Sequence, residues 1–117
     1  MIIISATLDF ANEADRDRAV KESAPVQAAT REEESGCHAY CFAGDPTVPT
    51  RIQVYELWED GAALAAHFKH HTYESMKAIL GAVGVVGTTN QMYLIERHEP
   101  VYDAQGNARE TFFDGDG

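Results

Sequence analysis

The sequence predicts an α+β fold: a four-stranded antiparallel sheet with helices on one face, in the element order β-α-β-β-α-α-β. Three observations predict it. Apolar and polar residues alternate at period two in four separate segments, which marks half-buried strands. A helix-length segment opened by an N-cap residue separates the first two strands. Two shorter segments with helical spacing separate the last two, while only a Gly- and Pro-marked turn joins the middle pair.

The first strand runs from Ile2 to Phe10. Ile2, Ile4, Ala6, Leu8 and Phe10 share one strongly apolar face, and Ile3, Ser5, Thr7 and Asp9 share the other. Asn12 then suits a helix N-cap, with Glu13 and Asp15 in the first turn, where acids complement the helix dipole. The helix is expected to reach Arg31 or Glu34, with a kink at Pro25, which lacks a backbone donor. Glu32-Glu33-Glu34 sits at the wrong end of the dipole and reads as a solvated acidic face. Ser35-Gly36 ends the helix, with Gly36 in the left-handed C′ position.

A second strand is expected over Cys37–Ala43. Strict alternation puts His38, Tyr40 and Phe42 on one face and Cys37, Ala39, Cys41 and Ala43 on the other. Gly44-Asp45-Pro46 and Pro49-Thr50 mark the hairpin turn into a third strand, Arg51–Trp58, whose apolar face carries Ile52, Val54, Glu56 and Trp58. Asp60 caps a short helix over 62–68, and a second follows from Tyr73 to Leu80. Gly81, Gly84 and Gly87 lead into a long fourth strand, Val85–Arg97, bent near Gly87. Residues 1–99 form one domain of ferredoxin-like, split βαβ topology. The polar stretch 100–117 reads as a tail, either disordered or a strap using Tyr102, Phe112 and Phe113.

Composition narrows the function. The formal net charge of −10 argues against a nucleic acid or an anionic membrane surface as partner, since few cations are present to displace counterions. No apolar run approaches the roughly 18 residues of a membrane span. The opening Met1-Ile2-Ile3-Ile4-Ser5-Ala6 lacks the basic region of a secretory leader. Strand geometry places Cys37 and Cys41 about 13 Å apart on one face, too far for a disulfide, so a reducing cytoplasmic setting is expected. The helices leave one sheet face open. That face carries bulky groups, and two sheets packed face to face would cover it, so a homodimer with a barrel-like core is expected.

Several segments together resemble the antibiotic biosynthesis monooxygenase family. They are Glu34-Ser35-Gly36-Cys37-His38-Ala39-Tyr40, Asp45-Pro46, Val54-Tyr55-Glu56-Leu57-Trp58-Glu59-Asp60 and Ala63-Leu64-Ala65-Ala66-His67-Phe68. They carry the family's E-x-G-C, Y-E-x-W-x-D and L-x-x-H patterns in order, and the likeness extends over roughly residues 2–97. The resemblance implies the dimeric α+β barrel and oxidation of a quinol or phenolic aromatic by O2, with no metal or flavin cofactor. A haem-degrading branch of the same superfamily uses an Asn, a Trp and a His. In this chain the first strand offers only Ser5, Thr7 and Asp9 for the Asn, His67 stands at the Trp position and Lys77 at the His position. The likeness therefore disfavours haem degradation.

His67 is the first choice for a catalytic base, because an imidazole titrates near neutral pH; the alternative is a capping or packing histidine. Trp58, Tyr40, Tyr73, His71 and His38 are the candidate substrate-binding residues. Trp58 and Tyr73 serve equally well as core filling, and Tyr40 and His38 as dimer contacts. Glu56, an acid on an apolar strand face, must be paired or protonated. His67, His70 and His71 form no H-E-x-x-H pattern and have no acid close in sequence, so no metal site is expected. The expected function is a cofactor-independent monooxygenase acting on a small aromatic substrate. The alternatives are a dimeric small-ligand binder or isomerase of the same fold, and an oligomerisation module with a filled interior.

Overall fold

The computed structural model describes residues 1–113. Its elements are β1 (Ile2–Phe10), α1 (Glu13–Glu33), β2 (Cys37–Gly44), β3 (Arg51–Trp58), α2 (Gly61–His67), α3 (His71–Val83) and β4 (Val85–Leu94). The strands form one antiparallel sheet in the order β2-β3-β1-β4, as the split βαβ reading requires. β1 and β3 lie at the centre, where the apolar face of β1 is best shielded.

The helix starts follow from local chemistry. Asn12 Oδ1 accepts from the Asp15 amide at 2.8 Å, and Asp60 Oδ1 accepts from the Ala63 amide at 2.8 Å; each satisfies a donor that the helix itself cannot. α1 continues unbroken through Pro25. Pro25 is exposed, so water can serve the carbonyl that loses its intrahelical partner. α1 packs along β2 and shields the outer edge of that strand. Gln27 accepts from the Phe42 amide and donates to the Phe42 carbonyl, while Arg31 Nε donates to the Tyr40 carbonyl. Side chains thus complete the ladder where no further strand exists.

The core between sheet and helices contains Phe10, Ile52, Val54, Trp58, Leu64 and Met76, among others. The opposite sheet face carries Ile3, Ser5, Tyr55, Leu57 and Tyr93. Tyr55 is 46% exposed and Tyr93 53%.

Four expectations fail for local reasons. A register shift between Cys37 and Ala39 against β3 breaks the alternation of β2. His38 therefore leaves the face of Tyr40 and Phe42, and is exposed beside Glu59, to which its Nε2 hydrogen-bonds. The same shift sets Cys37 opposite Trp58 and Cys41 opposite Tyr55, on different faces; both thiols are free. Gly36 is not left-handed, because among the described residues only Gly84, Gly106 and Phe113 have positive φ. A Cβ at Gly36 would lie 2.4 Å from the Ala63 Cβ, so the glycine permits close approach of β2 to α2. β4 ends at Leu94 rather than Arg97, and its irregularity lies beside Gly87, where the pairing slips between Asp9 and Phe10.

From Glu99 to Phe113 the chain bonds to itself. Arg109 Nη2 pairs with Glu99 Oε2 at 2.6 Å, the Phe113 amide donates to Glu99 Oε1, and Tyr102 bridges Ala108. The last part of the expected tail, 114–117, lies outside the described residues. Among the described residues no helix is long and apolar enough to cross a membrane.

Candidate active site

A cavity of about 390 Å³ opens between the sheet and the helices, large enough for a small aromatic molecule. Its floor is the apolar face of β1 (Ile4, Ala6, Leu8) with Tyr40, Phe42, Val54 and Glu56 beside it. His67, Phe68, Tyr73, Met76 and Lys77 come from the helical side, and Thr88, Asn90 and Met92 from β4.

His67 ends α2 and is only 2% exposed. Its Nδ1 lies 3.0 and 3.1 Å from the two oxygens of Glu34. A carboxylate only accepts, so Nδ1 carries the ring proton and Nε2 keeps the lone pair. Glu34 also accepts from the Thr72 hydroxyl at 2.8 Å, which pins the carboxylate. Burial lowers the His67 pKa below its ordinary value, although Glu34 opposes the shift. A neutral, oriented imidazole results, which is the form a base needs. Glu34 was expected to be solvated, yet its side chain is only 8% exposed. The start of α3, nearly forty residues on, folds over it. The acid of the E-x-G-C pattern was the available signal.

Glu56 presents a different carboxyl. It accepts from Trp58 Nε1 at 2.9 Å, pairs with no cation among the described residues, and is pushed up to about 7 chiefly by burial. A carboxyl poised near neutrality beside a cavity is suited to proton exchange. Burial and the neighbouring carboxylates Glu56 and Glu34 also push the Tyr40 hydroxyl far above its ordinary range, so it remains a hydrogen-bond donor. No described group hydrogen-bonds that hydroxyl.

Aromatic groups surround the imidazole. The Trp58 ring lies 4.5 Å from it, Tyr73 5.5 Å and Tyr40 5.6 Å. The structure therefore brings together His67, Tyr40 and Tyr73 at the cavity, with Trp58 backing the imidazole and itself fully buried. It sets His38 and His71 apart. His71 is exposed and bonds Glu33 at 2.6 Å, and neither residue lines the cavity. Glu34, Glu56, Lys77 and Asn90 are the neighbours that the sequence reading did not nominate.

The three sequence patterns meet here. Glu34 holds His67, Gly36 abuts Ala63, Glu56 holds Trp58, and Asp60 caps the helix that delivers His67.

Comparison with known proteins agrees with this convergence. The family model for antibiotic biosynthesis monooxygenase matches residues 1–79. No curated protein matches the chain. Among solved structures, a provisionally named antibiotic biosynthesis monooxygenase from Deinococcus radiodurans is similar with TM-score 0.76 at 20% identity, covering 88% of this chain and 100% of that one. A provisionally named counterpart from Caulobacter crescentus gives TM-score 0.72 at 22% identity, covering 81% and 90%. A conserved protein of unknown function from Bacteroides thetaiotaomicron gives 0.68 at 22% identity, covering 79% and 94%. At such identities the solved structures speak for the fold, while the family model spans well over half of the sequence. With its patterns gathered around one histidine, the chain belongs to the antibiotic biosynthesis monooxygenase family.

Proposed function

We propose that the protein is a cofactor-independent monooxygenase that oxidises a small phenolic or quinol-type aromatic with O2. The observation that carries this reading is the Glu34–His67 pair, whose imidazole borders a largely apolar cavity with a few polar groups on its wall.

The chemistry needs little more from the protein. His67 Nε2 accepts the phenolic proton, and the imidazolium forms a full ion pair with Glu34 while the phenolate stands in the cavity. The electron-rich anion passes one electron to O2. The resulting superoxide and aryloxyl radical combine at a ring carbon, and the hydroperoxide loses water to leave a carbonyl. One oxygen atom enters the product and the other leaves as water. Tyr40 and Tyr73 are the aromatic walls that hold the ring. Trp58 acts through His67 as a positioning residue. The protonated Glu56 is placed to donate to an oxygen of the intermediate. Apolar walls limit water access to the radical pair.

The outer face of the sheet, with Tyr55 and Tyr93 half exposed, supports a second reading that belongs to the same function: two copies pack sheet to sheet.

Oxygen uptake on a panel of hydroquinones, measured with and without air, tests the activity. Turnover should require O2 and fall by about 10²-fold or more in His67→Ala, the scale of a lost general base. Tight aromatic binding with no oxygen consumption, unchanged in that variant, would instead identify a ligand-binding protein.

A further inference from the structure

Outside the cavity, three side chains converge where the end of α1 meets the start of α3. Glu33, His70 and His71 each offer one ligand atom, and these atoms lie within 4.8 Å of one another. We propose that Glu33, His70 and His71 form a surface site for a divalent transition-metal ion of the Zn2+ or Ni2+ type.

The donor set selects that class of ion. Two imidazoles and one carboxylate suit zinc and nickel better than calcium or magnesium, which prefer all-oxygen shells. The geometry is close to what coordination requires. His71 Nε2 stands 2.6 Å from Glu33 Oε1, and His70 Nε2 stands 3.7 Å from the same oxygen. Donors bound at about 2 Å in a tetrahedron are roughly 3.3 Å apart. The observed pair of distances brackets that value, so small side-chain rotations complete the set and leave one position for water.

The surroundings also suit an ion. His70 Nδ1 lies 3.0 Å from the Thr72 hydroxyl, which donates its own proton to Glu34. In the capping arrangement Nδ1 accepts from the Thr72 amide; on metal binding the ring proton would move to Nδ1, where the Thr72 hydroxyl can accept it, and the Nε2 lone pair is left for the cation. This is the outer-shell bond that metal-binding histidines generally make. The ring gives up in exchange the 3.3 Å bond by which it caps α3. Glu34 Oε2, 3.8 Å from His70 Nδ1, adds negative charge behind the ligand. Sequence spacing conceals the site because Glu33 ends α1, whereas His70 caps and His71 opens α3. Among the described residues no other three such side chains come this close.

The test is calorimetric titration of the untagged full chain with ZnCl2 or NiCl2 at neutral pH. One ion per chain should bind. Glu33→Gln and His71→Ala alter exposed side chains, and each should weaken binding at least about tenfold. His38→Ala should leave affinity unchanged. Amide resonances of the chain titrated with Ni2+ should broaden first around residues 33 and 70–72. Failure to bind either ion, affinity that survives both Glu33→Gln and His71→Ala in variants of native circular dichroism, or broadening centred elsewhere would overturn the proposal. None of the three ligands lines the cavity, so that failure would leave the oxygenase reading untouched.

Discussion

Two carboxyl groups in one small region have partners of different kinds. Glu34 meets an imidazole N–H and a hydroxyl, whereas Glu56 meets only an indole N–H in a buried pocket. Glu34→Gln keeps the shape but removes the charge that orients His67 and raises its proton affinity. Turnover should fall by about 10²-fold, and the acid limb of its pH profile should move to lower pH; a stopped assay across pH reads both. Glu56 makes a separate prediction for stability. Its folded pKa is raised to about 7 from an ordinary 4.5, so between those values the folded state holds the extra proton. Its contribution is present in full below about pH 4.5 and is lost as pH rises through 7. At roughly 1.4 kcal/mol per unit, the loss is on the order of 3 kcal/mol. Glu56→Gln, which still accepts from Trp58, should match the parent in acid and exceed it in urea resistance above neutral pH. Parallel pH dependence of the two proteins would show that Glu56 does not carry this proton.

Elements show what the sequence made legible and what it did not. Period-two patterns located β1 and β3 because an antiparallel strand with one wet face must alternate. The capping side chains of Asn12 and Asp60 located the starts of α1 and α2. His38 was misplaced because one extra residue in β2 inverts the alternation behind it, and no local pattern announces such a bulge. Glu34 was misread because an acid at a helix end is ordinarily solvated, and its burial depends on α3. The identity of His67, Tyr40 and Tyr73 as neighbours was legible; the carboxylate that orients the imidazole was not. Gly36 follows the same logic, since its role is set by α2 rather than by the helix it follows. Gly36→Ala should cost about 1–3 kcal/mol by overpacking against Ala63, and Ala63→Gly in the same chain should restore much of it. Thermal melts of the two single variants and the double variant check this. An additive cycle would mean that the two residues do not share the contact.

At the scale of the whole molecule the sheet has one covered and one open face. Tyr55 and Tyr93 are the large aromatic groups on the open side, on β3 and β4. Replacing both by Arg should convert a dimer to a monomer in light scattering while leaving the far-ultraviolet spectrum unchanged. A parent protein that is monomeric at micromolar concentration would remove the sheet-to-sheet pairing. The helical layer is also uneven: α1 packs closely on β2, yet no helix packs extensively on β4, and Met92 and Leu94 are 52% and 78% exposed. The cavity beside His67 is therefore bordered on one side by a strand that no described helix covers extensively. Under the proposed function a planar substrate would enter edgewise there, with its thickness limited and its length left free. Congeners with long side arms should be accepted with the arm trailing outside, and those thickened by a branched substituent on the ring should be turned away.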